Sequence, residues 1–154
     1  LLGSYYRQPH ITLFVCGFLV GKHQHNDDFT QTQLDAQIQT LRKAEIETFE
    51  IEIGSLNSFA SAPFLEVHDP KEGISRLRKI LSGGAREFRT AAYRPHLTVG
   101  LYADAFPREK VLERITTFRN TRVRWKINKL TLATYQAEEV AGRLSYEYNY
   151  CLKA

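Results

Sequence analysis

The chain has 154 residues, the length of one ordinary domain, and we read residues 1–154 as a single unit able to enclose a hydrophobic core. Hydrophobic residues make up 43% and charged residues 25%, which excludes a disordered chain, and no apolar run is long enough for a bilayer-crossing helix, so no membrane partner is expected. The 21 Lys and Arg against 17 Asp and Glu leave a formal charge of +4, which permits an anionic ligand but lacks the concentrated basic stripe that long nucleic acid calls for.

In chain order, residues 11–19 are rich in β-branched and aromatic side chains and predict a buried strand. Residues 21–28 form a polar loop that ends in helix-capping residue types, and Leu34, Ile38 and Leu41 then recur at helical spacing over residues 29–44. Phe49, Ile51 and Ile53 alternate with Glu50 and Glu52, the period-two pattern of a strand with one wet face. A partner strand over residues 63–68 is expected to close a hairpin across the small-residue stretch 57–62. Asp69-Pro70 opens a helix carrying Ile74, Leu77, Ile80 and Leu81, which Gly83-Gly84 ends. A basic connector over residues 85–94 leads to a strand at 97–102, and Pro107 starts a third helix with Val111, Leu112 and Ile115. Two long strands, 122–136 and 143–152, close the chain around a turn at 138–142. The order β-α-β-β-α-β-α-β-β, without internal linkers, predicts an α+β domain built on antiparallel sheet.

Cys16 and Cys151 both fall in apolar, strand-like segments, which suits reduced core thiols and a cytoplasmic location, with a single disulfide between them as the alternative. The chain starts at Leu1 and contains no Met, so a strand and a helix ahead of its first residue are expected.

One internal repeat organises the chemistry. Tyr6-Arg7-Gln8-Pro9-His10-Ile11-Thr12-Leu13 is echoed by Tyr93-Arg94-Pro95-His96-Leu97-Thr98-Val99, and a glycine (Gly17, Gly100) follows each soon afterwards. Each copy is expected to begin a strand, so that His10 and Thr12 share one face, His96 and Thr98 another, and Ile11 and Leu97 point the opposite way into the core. A single His-x-Thr is ordinary strand decoration, whereas two copies with the same Pro and the same apolar spacer point to paired chemistry. In-line displacement at phosphorus needs one group to deprotonate the attacking oxygen and another, on the far side, to protonate the departing one. Histidine suits both tasks because it ordinarily ionises near pH 6.5. The threonine hydroxyls are placed to hydrogen-bond the non-bridging oxygens, and no metal or other cofactor is required.

The stretches Pro-His-Ile-Thr-Leu and Arg-Pro-His-Leu-Thr-Val, in a chain of this size and element order, resemble the two-histidine phosphoesterase superfamily, most nearly its bacterial 2′-5′ RNA ligase-like or RNA 2′,3′-cyclic phosphodiesterase branch. That resemblance implies two pseudo-symmetric lobes of antiparallel sheet with helices packed outside, a groove between them and no metal cofactor. It implies action on a 2′,3′-cyclic phosphate or 2′-5′ linkage of a nucleotide or RNA end, in a monomer. By the same resemblance His10 and His96 are catalytic and Thr12 and Thr98 bind phosphate. For ring opening, His96 would activate water and His10 would protonate the leaving 3′-oxygen, although the pseudo-symmetry equally allows the reverse. Family members carry a strand and a helix before the first motif, whereas only residues 1–9 precede His10 here, so either those elements precede Leu1 or the first lobe is incomplete.

Other residues offer weaker signals. Arg7 and Arg94 precede the motifs symmetrically and could neutralise phosphate, or serve as structural arginines at strand entrances. Arg86 and Arg89 read as solvated surface rather than groove mouth. Tyr102, Phe18, Tyr135 and Tyr146 could stack on a base, with core packing the expected role for at least three of the four. His23 and His25 with Asp27 and Asp28 have metal-loop spacing, but the polarity of an exposed loop accounts for them. His68-Asp69 reads as helix capping, and Glu45, Glu47, Glu50 and Glu52 as a wet sheet face. Two further readings remain: a nucleotide- or RNA-binding module of the same fold without catalysis, and a metal-dependent hydrolase built on the His23/His25 loop.

Overall fold

The computed structural model describes residues 1–89, 91–119 and 121–154; Thr90, within the expected connector, lies outside the described residues. The chain order is β1 (Phe18–Val20), β2 (Asp28–Thr30), α1 (Gln31–Ala44), β3 (Phe49–Ser58), β4 (Pro63–His68), α2 (Gly73–Ser82), β5 (His96–Thr98), α3 (Arg108–Thr117), β6 (Val123–Ile127), β7 (Lys129–Thr134) and β8 (Ser145–Cys151). A four-stranded antiparallel sheet runs β5-β4-β3-β6, a second antiparallel sheet pairs β7 with β8, and β1 pairs in parallel with β2. This is the α+β class that the element order predicts.

Local chemistry explains the helix boundaries. Thr30 caps α1 through a reciprocal box: its hydroxyl accepts from the Gln33 amide at 3.3 Å, and the Gln33 side-chain oxygen accepts from the Thr30 amide at 2.8 Å. Phe29, expected inside the helix, instead pairs with Leu19 in the β1–β2 ladder and is buried. The Asp69 carboxylate accepts from the amides of Gly73 (3.0 Å) and Ile74 (2.7 Å), which satisfies two donors at the start of α2. At Gly73 a side chain would collide with the Phe49 ring, so the first turn of α2 sits directly on β3.

The apolar positions of β3 and β4 build the core. Phe49, Ile51 and Val67 cluster with Leu41 of α1, Ile74, Leu77 and Leu81 of α2, and Leu152. Glu50 and Glu52 alternate with them and take the other face, as a wet strand face requires. Gln37, buried between the two helices, donates to the Leu81 carbonyl at 3.1 Å.

Four expectations need correction. Residues 11–17 lie outside any strand, and only Phe18–Val20 of that run is laddered. Gly17, at φ +122°, turns the chain where the Asp27 carbonyl leaves no room for a side chain, so the run bends before it can pair. The strand after the second motif is three residues long rather than six, ending at Thr98. The single long strand at 122–136 is two strands in different sheets, because the chain crosses between sheets at Asn128, whose carbonyl accepts from Leu152 at 2.8 Å. Cys151 is exposed rather than in the core, while Cys16 is half-buried, and both thiols are free. No helix among the described residues is long and apolar enough to cross a membrane.

Candidate active site

The second motif enters the sheet at its edge. His96 and Thr98 stand opposite Glu66 and Phe64 of β4, so all four side chains share the face opposite the helix-packed core. Pro95 holds the preceding backbone extended, and the His96 Nδ1 lies 2.7 Å from the Arg94 carbonyl oxygen. A carbonyl only accepts, so Nδ1 carries the hydrogen and Nε2 is the position left for proton exchange. The imidazole is walled by two rings set edge-on to it: Phe59 at 4.9 Å and Phe64 at 5.5 Å between centroids, these two stacked on each other at 4.1 Å. Phe64 is fully buried, worth about 1.5–3 kcal/mol of hydrophobic stabilisation, and anchors the wall, whereas Phe59 is partly exposed.

The first motif is held differently. Tyr6 donates its amide to the Ala141 carbonyl, and the Arg7 Nε donates to Gly142 at 3.1 Å. The Gln8 side chain both donates to the Leu144 carbonyl (2.9 Å) and accepts from the Leu144 amide (2.8 Å), imitating a strand partner. His10 follows, and its Nδ1 lies 2.8 Å from the Gln8 carbonyl oxygen. The two histidines therefore repeat one arrangement: each Nδ1–H donates to the carbonyl two residues upstream, and each Nε2 is left for chemistry.

A hydrogen bond joins the stretches that carry the two motifs. The phenol of Tyr93, three residues before His96, donates to the Thr12 carbonyl oxygen at 3.0 Å. It takes the backbone oxygen of Thr12 and not its hydroxyl. Further along, Leu2 donates to the Leu101 carbonyl at 2.8 Å, so residues 1–8 run from the exit of β5 to the turn between β7 and β8.

The remaining expected residues are placed as follows. Arg94 pairs with Glu66 at 2.6 Å and lies 5.2 Å from the centre of the Phe64 ring. Arg7 lies 4.3 Å over the Tyr135 ring. Both arginines thus anchor protein groups beside the motifs. The Tyr102 hydroxyl shares a 2.7 Å hydrogen bond with Ser58, and its ring meets Phe106 edge-on, near the Phe59 wall in chain and space. Phe18, Tyr135 and Tyr146 are exposed and not core, which corrects the expectation for three of the four aromatics. Arg86 and Arg89 are exposed. The Asp28 carboxylate accepts from the amides of Gln24 and His25 at 2.7 Å each, and those two bonds hold it below the ordinary carboxylate range. It is thereby an anchor of the loop backbone, and no cluster of three or more metal-ligating side chains occurs among the described residues.

The sequence alone misses Glu66, Asn57, Phe59 and Phe64. Asn57 donates to the same Glu66 oxygen that Arg94 grips, so Glu66 is fixed at the strand edge beside His96. Alternation over 63–68 signals that 64 and 66 share a face, but only the β4–β5 register brings that face under His96 and Thr98.

A family model described as the 2′-5′ RNA ligase superfamily matches residues 3–139. Solved structures with a similar fold include E. coli LigT in apo form (TM-score 0.59, 14% identity, covering 95% of this chain and 77% of that one). LigT complexed with 3′-AMP gives 0.60, 14%, 95% and 78%, and LigT complexed with ATP gives 0.58, 13%, 95% and 77%. No curated protein sequence matches the chain significantly.

Proposed function

Since the chain belongs to the 2′-5′ RNA ligase superfamily, we propose that it is a phosphodiesterase that uses His10 and His96 as acid and base on a 2′,3′-cyclic phosphate or 2′-5′ linkage of a nucleotide or RNA end. The observation that carries this reading is the matched pair of Nδ1–carbonyl bonds. Each fixes one tautomer and one ring orientation and leaves a single nitrogen for proton transfer, which is what a preorganised acid–base pair needs.

In ring opening, the neutral His96 Nε2 takes a proton from water as the water oxygen bonds to phosphorus. The protonated His10 Nε2 gives its proton to the 3′-oxygen as that P–O bond breaks, leaving a 2′-phosphate. The pair ends in swapped protonation states and resets by exchange with solvent. The hydroxyls of Thr12 and Thr98 bind the non-bridging oxygens, where charge grows in the transition state. The Phe59–Phe64 wall keeps the His96 ring from tipping. A nucleotide as ligand class is supported by the 3′-AMP and ATP complexes of LigT.

The test is product analysis of the four nucleoside 2′,3′-cyclic monophosphates and a 2′-5′ dinucleotide, with and without EDTA. Turnover that survives chelation and is lost in both H10A and H96A is the expected result. Full turnover in both variants overturns the assignment, and saturable nucleotide binding with no product would instead make the chain a binding module.

A further inference from the structure

The first motif lies outside any strand, yet several backbone groups of residues 12–15 are bonded within the protein. The Thr12 carbonyl accepts from the Tyr93 phenol at 3.0 Å, and the next carbonyl, Leu13, accepts from the Arg78 guanidinium. The Val15 amide donates to Glu87 at 3.2 Å, and the Val15 carbonyl accepts from the Phe88 amide at 3.0 Å. Three side chains and one amide thus occupy places that a neighbouring strand would fill in a sheet.

These side chains also hold one another. Arg78 pairs with Glu87 at 2.7 Å and lies 3.6 Å over the Tyr93 ring, so the ring is pinned from its face while its hydroxyl reaches the first motif. Tyr93 leads directly into Arg94-Pro95-His96, whose backbone Pro95 stiffens. Any shift of one motif against the other has to break or stretch this contact.

We propose that Tyr93 is a positioning residue for the reaction: its hydroxyl, on a ring faced by the Glu87-paired Arg78, sets the first motif at its working distance from the second. This rests on the phosphodiesterase reading of His10 and His96. Burial pushes the Tyr93 phenol up to about 12, so it stays a hydrogen donor across the working range of pH. A misplacement of about 1 Å in such a pair is enough for a roughly 100-fold loss of rate.

The test is Tyr93→Phe, which keeps the ring under Arg78 and removes only the donor. The control is Tyr150→Phe, which deletes a comparable phenol–carbonyl bond at the same core, to Leu41 at 2.9 Å, whose acceptor belongs to neither motif. In Y93F we expect kcat to fall about 10- to 100-fold with KM changed less than about threefold. Exchange of the Val15 amide, which donates to Glu87, should quicken about tenfold or more while amides of β3 and β4 keep their protection. Y150F should keep wild-type kcat and wild-type exchange at the Val15 amide. Equal kcat and equal exchange in Y93F and wild type overturn the proposal. So does a kcat loss in Y93F matched by Y150F, which would mark a general packing effect. A wild-type chain without turnover sinks the phosphodiesterase reading instead, and the exchange measurement still decides whether Tyr93 fixes the first motif.

Discussion

Arg78 and Glu87 meet at 2.7 Å with only 18% and 15% of their side chains exposed, and between them they hold the Leu13 carbonyl and the Val15 amide. Removing one member of a pair this sheltered leaves an uncompensated charge and an orphaned backbone group. Arg78→Met is therefore expected to cost about 3 kcal/mol in urea unfolding. The double variant Arg78→Met/Glu87→Gln should cost less than the two single changes added, which a double-mutant cycle will read.

Both histidines should be needed for turnover. H10A and H96A are each expected to lower kcat/KM by about 10²–10⁴-fold in a chain that stays folded, with H96A melting somewhat lower because its ring packs edge-on against Phe59 and the buried Phe64. The kcat/KM profile against pH should be bell-shaped, because one imidazole acts neutral and the other protonated.

The two thiols should differ sharply in reactivity. Burial, and then the Glu87 carboxylate, push Cys16 from its ordinary 9.0 up to about 11, whereas Cys151 is exposed. At pH 8 only about one Cys16 in 1,000 is thiolate. Brief iodoacetamide treatment read by peptide mass spectrometry should label Cys151 and spare Cys16.

Stability should fall at alkaline pH. Cys16 and Tyr93 both have raised ionisation points in the folded chain, about 11 and about 12 against 9.0 and 10.0. The unfolded chain therefore releases these protons first, and the folded state binds more of them in between. Their stabilising effect is complete below pH 9 and is lost from pH 9 to about 11 for Cys16, and from pH 10 to about 12 for Tyr93. Denaturant midpoints measured in steps across that range should decline, and the Tyr93→Phe variant should decline less above pH 10.

Helix α2 depends on one side-chain cap. Asp69→Ala removes the acceptor for two amides and is expected to cost about 1 kcal/mol, visible as a lower melting temperature, whereas Asp69→Asn should retain most of the cap.

Features whose causes are local are legible in the chain alone. The repeat that marks His10, Thr12, His96 and Thr98 can be read without coordinates. So can the Asp69 cap and the alternation of Phe49, Ile51 and Ile53 with glutamates. Each depends on neighbours a few residues away, through helical or strand periodicity. The same logic failed where the chain's own pattern leaves the partner open. Residues 11–17 have a strand's composition, but their carbonyls are taken by Tyr93, Arg78 and Phe88, and no ladder forms. Residues 122–136 look like one strand, and only the competing partners β3 and β8 divide it at Asn128. The rings around His96 and the join between Tyr93 and Thr12 were decided by tertiary structure alone, because a register between distant strands, and a hydrogen bond across 81 residues, leave no periodic trace in the chain.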